Sequence, residues 1–166
     1  MRKPYPCSSV KSVVKIILSL LLGSFFAAPV VHAQREKLPP EDLEFVEKNW
    51  PEAKKTSTGI RYIVLREGQG EMPKAGDKVA VAYIGRLLNG TIFDQTEDRE
   101  HPFIFRVRRD MVIEGWDQIL PLTKVGEKRT VIIPPELAYG TRGQPPKIPR
   151  AATLVFEIEL LEIKKD

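Results

Sequence analysis

The sequence predicts an α+β domain in which a curved antiparallel sheet wraps around one short helix. Three observations lead there. From Ile60 onward the apolar residues recur with a period of two; Asn89-Gly90, the strongest hairpin signal in the chain, joins two such runs; and Gly115 to Leu122 is the only helical candidate between them. A sheet with one apolar face needs a cover, and the helix around Trp116 to Leu120 is the natural one.

The strands follow in order. Ile60 to Leu65 is the first and closes at Gly68-Gln69-Gly70. Val79, Val81 and Tyr83 alternate with Ala80, Ala82 and Ile84, which describes a half-buried strand; Thr91 to Asp94 returns from the Asn89-Gly90 turn. Phe103, Phe105 and Val107 alternate with Ile104, Arg106 and Arg108. Lys128 to Ile133 is stopped by Pro134-Pro135, and Leu154 to Leu160 alternates apolar residues with Glu157 and Glu159, which read as solubility residues on the outer face. Before the strands, Pro39-Pro40 followed by Glu41 and Asp42 suits a short helix with acids in its first turn. Leu43, Val46, Glu47 and Trp50 share one of its sides, and Trp50-Pro51 ends it.

The N-terminus has a different character. Residues 1–33 hold four of the 26 basic residues and no acid, which leaves 22 residues of each sign in the rest of the chain. The formal charge of +4 therefore belongs to the leader and does not describe a nucleic-acid surface; Arg106, Arg108 and Arg109 read as a solvated strand end. An apolar run from Ile16 to Val31 ends at Val31-His32-Ala33, the order of a secretory signal peptide. Its 16 residues fall short of the roughly 20 that a spanning helix prefers, so cleavage after Ala33 is expected, with a retained N-terminal membrane anchor as the alternative. The expected organisation is a signal peptide over 1–33, a polar lead-in with a short helix over 34–58, and one domain over 59–166.

Conventional catalytic machinery is absent. The single cysteine, Cys7, lies in the leader, and of the two histidines only His101 follows it, so neither thiolate chemistry nor a metal centre is expected. No nucleophile elbow, phosphate-cradling loop or dinucleotide fingerprint occurs. Rotation about an Xaa-Pro bond needs none of these, because it requires an apolar pocket that binds the twisted amide better than either planar isomer. Tyr83, Phe93, Phe103, Phe105, Trp116, Tyr139 and Phe156 suit such walls, although on pattern alone scattered aromatics read as core; Asp94 after Phe93 reads equally as a turn cap.

Six segments carry a resemblance. Val81-Ala82-Tyr83-Ile84-Gly85 is followed by Gly90-Thr91-Ile92-Phe93-Asp94, Pro102-Phe103-Ile104-Phe105, Val112-Ile113-Glu114-Gly115-Trp116, Ala138-Tyr139-Gly140 and Ala152 to Leu161. In this order and spacing they resemble the FKBP-type prolyl isomerases, the macrolide-binding immunophilins, from about Gly59 to Lys164. The resemblance implies an FKBP-like fold, no cofactor, and peptidyl-prolyl isomerase activity on proline-containing polypeptides, with macrolides as inhibitors. It implies Trp116 as the pocket floor and Tyr83, Phe93, Phe103, Val112, Ile113, Ile148 and Phe156 as walls. It places Asp94 at the rim, supported by a salt bridge to Arg99, and makes Tyr139 and the Ile113 amide donors to substrate carbonyls. Gln144 and Arg150 depart from the family pattern, and Pro145-Pro146-Lys147 gives the loop over the pocket its own surface. A non-catalytic binding module or chaperone on the same fold is the rival, and the short lead-in suggests a monomer.

Overall fold

A computed structural model describes residues 36–164. The leader, its cleavage site and the question of an anchor lie outside the described residues. Among the described residues no helix is long and apolar enough to cross a membrane.

The chain forms helix α1 (Pro40–Asn49), strands β1 (Lys54–Lys55), β2 (Arg61–Arg66), β3 (Lys78–Leu87), β4 (Ile92–Thr96) and β5 (Phe103–Arg106), helix α2 (Glu114–Ile119), and strands β6 (Lys128–Ile133) and β7 (Leu154–Lys164). Single 3-10 turns at Leu120–Leu122 and Pro135–Leu137 complete it. The seven strands make one antiparallel sheet in the order β1-β2-β6-β7-β3-β4, with β5 also paired to β3. β3 is long enough to serve two partners along one edge: Lys78 to Val81 pair with β5, and Tyr83 to Arg86 pair with β4. Opposite Ala80/Val81 and Gly85/Arg86 the partner strands carry one extra residue each, Leu161 in β7 and Phe93 in β4, and these bulges help curve the sheet.

Alternation sends Val79, Val81 and Tyr83 of β3, Val131 and Ile133 of β6, and Phe156, Ile158 and Leu160 of β7 into one core with Trp116, Ile119 and Leu120 of the α2 region. Gly115 lets α2 lie this close, because a Cβ there would fall 2.6 Å from Ile133 Cγ2.

The second face of the sheet is not simply solvated. Ile132 and Val155 point to it, and Leu38 and Val46 cover them, flanked by Leu43 and Trp50. Pro at the first helical position, Glu41 and Asp42 in the first turn and Lys48 in the last start and finish α1 in agreement with its dipole. The Trp50 amide still bonds to Val46 O at 2.8 Å, and Pro51 then ends the helix. Thr153 Oγ1 donates to Asp42 Oδ2 at 2.6 Å, tying α1 to the start of β7.

Two readings of the strands are corrected here. β3 is buried on both faces from Val79 to Tyr83, where alternation suggested burial on one: Ala80 and Ala82 have small side chains in a strand flanked by neighbours on both edges and are buried like Val79, Val81 and Tyr83. Glu159 is no solubility residue: it is 7% exposed and ion-paired to Arg66 and Arg99.

Candidate active site

Trp116 stands at the start of α2 and meets four other rings. Its centroid lies 4.9 Å from Tyr83 and 5.4 Å from Phe156, both nearly perpendicular to it, 5.8 Å from Phe105 and 6.2 Å from Phe103. Edge-to-face packing of this kind fixes ring orientation as well as burying area. Phe93 closes on Phe156 at 5.6 Å and 89°. Gly85, opposite these rings, leaves room for both: a Cβ there would fall 2.7 Å from Phe93 Cζ and 2.9 Å from Phe156 Cε1.

Above the indole lies a cleft of about 140 Å³, lined by Tyr83, Phe93, Asp94, Phe103, Met111, Val112, Ile113, Trp116, Tyr139 and Phe156. The fold thus brings together nine residues singled out from sequence. Ile148 is not among them. It is buried in the main core, because paired backbone bonds between Gln144 and Ile148 (2.9 and 3.0 Å) fold the loop back and turn it inward. Met111 is the residue that sequence reasoning missed: half-exposed in a charged loop, it carries no periodic or motif signal.

Polar groups occupy the rim. Tyr83 Oη donates to Asp94 Oδ2 at 2.6 Å, and the Gln95 amide donates to Asp94 Oδ1 at 3.0 Å. The two side chains are diagonal neighbours, since Gly85 pairs with Asp94 and Tyr83 with Thr96. Burial pushes the Tyr83 phenol well above its ordinary range, and the hydrogen bond to the Asp94 carboxylate and its charge push it further. Burial, then the Asp94 charge, also raises Tyr139.

The expected Asp94–Arg99 salt bridge is absent from the structure. The Arg99 guanidinium turns to the outer face of the sheet and holds both oxygens of Glu159, at 2.6 and 2.7 Å, while Tyr83 and Gln95 donate to the Asp94 oxygens. At the mouth, a second cleft of about 370 Å³ shares Phe93, Asp94 and Tyr139 and is walled by Gln144, Pro145, Pro146 and Lys147.

Chemically the site is an apolar cup with unspent hydrogen-bond donors. Trp116 Nε1 is buried without an acceptor, and the Ile113 amide, at the N-cap of α2, makes no hydrogen bond among the described residues. Buried donors are normally paired; Trp116 Nε1 is fully enclosed and offers nothing to a ligand, whereas the Ile113 amide belongs to a residue that lines the cleft and is free for a ligand acceptor. Among the described residues no group of three His, Cys, Asp or Glu side chains is arranged to hold a metal ion.

Comparison with known proteins decides the family. The FKBP-type peptidyl-prolyl cis-trans isomerase family matches residues 69–161. The chain belongs to that family. As an FKBP-type chain it is 44% identical over 133 residues to human peptidyl-prolyl cis-trans isomerase FKBP4, which covers 80% of this chain but 28% of that protein. It is 42% identical over 106 residues to FK506-binding protein 1 of Dictyostelium discoideum, covering 64% of this chain and 99% of that one. Among solved structures, a 1.6 Å crystal structure of a peptidyl-prolyl cis-trans isomerase from Pseudomonas syringae pv. tomato superposes with a TM-score of 0.67 at 38% identity, over 75% of this chain and 92% of that one. The FKBP-type fold read from the sequence, a curved antiparallel sheet around a short helix, is the one these relatives share. The chain spans only about a quarter of the length of the FKBP4 relatives it matches.

Proposed function

We propose that this chain is a peptidyl-prolyl cis-trans isomerase acting on proline-containing segments of exported polypeptides. The observation that carries the reading is the cleft over Trp116, which combines aromatic walls with the unbonded Ile113 amide and a polar rim of Tyr83, Asp94 and Tyr139. A planar Xaa-Pro amide resists rotation by about 18–20 kcal/mol because resonance stiffens the C–N bond. Resonance places partial negative charge on the carbonyl oxygen, which water stabilises. An apolar cup strips that water, and twisting the bond localises the lone pair on nitrogen.

In this mechanism Trp116 supports the proline ring, while Tyr83, Phe93, Phe103, Val112 and Phe156 exclude solvent. Tyr139 Oη and the Ile113 amide donate to the carbonyls flanking the bond. Asp94, held by Tyr83, faces the region where the rotating carbonyl group passes and favours the twisted geometry electrostatically. No covalent intermediate, metal or proton relay is required. Macrolides that present a proline-like ring fit the same cup as inhibitors. Export by cleavage after Ala33, action as a monomer and service to folding clients complete the proposal; uncatalysed isomerisation takes tens to hundreds of seconds, slow enough to limit folding.

The test is isomerisation of a short Xaa-Pro peptide by the mature chain beside Asp94→Ala and Tyr139→Phe. Faster-than-background exchange in the parent with losses in both variants is expected. A parent no faster than the uncatalysed reaction would instead identify a binding module. N-terminal sequencing of the secreted product checks cleavage, and sizing at micromolar concentration checks the monomer.

A further inference from the structure

The segment from Glu97 to Pro102 joins β4, which carries Asp94, to β5, which begins at Phe103. Both ends of this connection therefore contribute directly to the cleft. Within the connection most hydrogen bonds are local: the Glu100 amide donates to Asp98 Oδ1 at 2.8 Å, and His101 Nδ1 meets Asp98 Oδ2 at 2.7 Å. Bonds of that kind shape a loop but do not fix it to the sheet.

Arg99 does so. Its NH2 group donates to both oxygens of Glu159, at 2.6 and 2.7 Å. Glu159 stands on β7 opposite Ala82 in the ladder, one position from the Tyr83–Ile158 pair, so it occupies the outer face while Tyr83 faces the cleft. Its side chain is 9% exposed, far below what a surface carboxylate shows. A second arginine, Arg66 at the end of β2, donates to Glu159 Oε1 at 2.5 Å and to Gly126 O at 3.3 Å. One carboxylate thus receives two guanidinium groups from segments distant in sequence.

We propose that Glu159 is a positioning residue for the isomerase site, acting through Arg99 to hold the β4–β5 connection and thereby the placement of Asp94 and Phe103. This rests on the reading of the cleft as the reacting site. The bond is charge-assisted and made to a carboxylate that is itself largely buried, so it holds the loop more firmly than the local Asp98 contacts do. The two arginines have separable tasks. Arg99 ties the loop, whereas Arg66 shares Glu159 Oε1 with it, is anchored to Gly126 O and does not line the cleft.

That separation supplies the test. Arg99→Ala, Glu159→Gln, the double variant and Arg66→Ala are compared in peptide isomerisation, with kcat and KM resolved, and in backbone ¹⁵N relaxation of residues 97–101. Arg99→Ala and Glu159→Gln are expected to lower kcat/KM by about fivefold, mainly through kcat, with the double variant no worse than about twofold beyond the poorer single, since both remove one interaction. The loop amides gain fast motion in both. Arg66→Ala retains parental loop order and stays within about twofold of parental kcat/KM. Two results overturn the proposal: parental loop order in Arg99→Ala, or a loss in Arg66→Ala equal to that in Arg99→Ala, which would reduce the cluster to general stability. A parent chain without activity would remove the isomerase reading, and the relaxation measurement would still decide whether Glu159 holds the loop.

Discussion

The Tyr83 hydroxyl donates to Asp94 Oδ2 over 2.6 Å, so a wall of the cleft and the carboxylate on its rim form one unit. Both phenols near Asp94 are pushed above their ordinary value, Tyr83 by burial and the Asp94 hydrogen bond, Tyr139 by burial and the Asp94 charge. Tyr83→Phe keeps the ring and removes the donor. It is expected to reduce kcat/KM by about three- to tenfold while costing roughly 1 kcal/mol of stability, the usual net worth of a hydrogen bond. The raised phenols also predict a flat activity profile from pH 6 to about 9, because neither hydroxyl ionises there. The sign for stability is the opposite of that for a carboxyl held below its ordinary value: the Tyr83 contribution is complete below the ordinary phenol value of 10 and is lost as pH rises above it. A decline in kcat/KM centred below pH 9 would contradict this account of the rim.

At Gly85 the aromatic wall of the cleft is sensitive to a single methyl group. Gly85→Ala would place that methyl 2.7 Å from Phe93 and 2.9 Å from Phe156, and the two rings are already locked edge-to-face at 5.6 Å. The rings must move apart or the strand must shift. Overpacking of this kind costs about 1–3 kcal/mol. The expected result is a folded protein with a lower urea midpoint and a raised KM, since the displaced rings narrow the cup. An unchanged KM would place proline binding away from Phe93 and Phe156.

The elements that position the cleft were legible because each carries a local signal. The period of two in Val79 to Tyr83 and in Leu154 to Leu160 placed Tyr83 and Phe156 on one face; Asn89-Gly90 fixed the hairpin that sets Phe93 and Asp94 beside them; and the sole helical candidate put Trp116 beneath. What stayed illegible depends on long-range pairing. Glu159 alternates with apolar neighbours and so read as solvated, but Arg66 and Arg99 reach it from 93 and 60 residues away and bury it. The same cause misassigned the partner of Arg99, which is near Asp94 in sequence yet turned to the other face of the sheet. β1, only Lys54 and Lys55, is too short to show a period, and Ile148 owes its inward turn to backbone bonds that side-chain pattern does not encode.

Helix α1 is a structural cover for the sheet's outer face, and Val46 is its anchor. Val46 is fully buried against Ile132 and Val155, opposite the face that carries the cleft. Val46→Ala removes two methyl groups from that small core and is expected to cost about 2 kcal/mol in chemical denaturation. Because Trp116 and the rim lie on the other side of the sheet, kcat/KM at a temperature well below the unfolding midpoint should remain parental. A loss of activity without loss of stability would instead make α1 part of the catalytic arrangement.

Glu36 gives the lead-in its own acid-sensitive attachment. Its carboxylate receives the Lys55 ammonium at 2.7 Å, the Arg61 guanidinium at 3.1 and 3.2 Å, and the amides of Lys37 and Leu38 at 2.9 and 3.0 Å. Burial by itself raises the carboxyl, but the Lys55, Leu38 and Arg61 bonds outweigh it and bring Glu36 from 4.5 down to about 2. A depressed carboxyl stabilises the folded chain above its unfolded value and loses that contribution as pH falls, here between about 4.5 and about 2. Glu36→Gln is therefore expected to lower stability by about 1–2 kcal/mol at pH 7, after allowance for screening at a site that is partly open to water. The difference between parent and variant should shrink steadily below pH 4.5 and be small by about pH 2, where half of the parent carboxyl is protonated. Urea titrations of both proteins across that range measure it, and a gap that persists undiminished at pH 2 would show that Glu36 contributes through shape and not through charge.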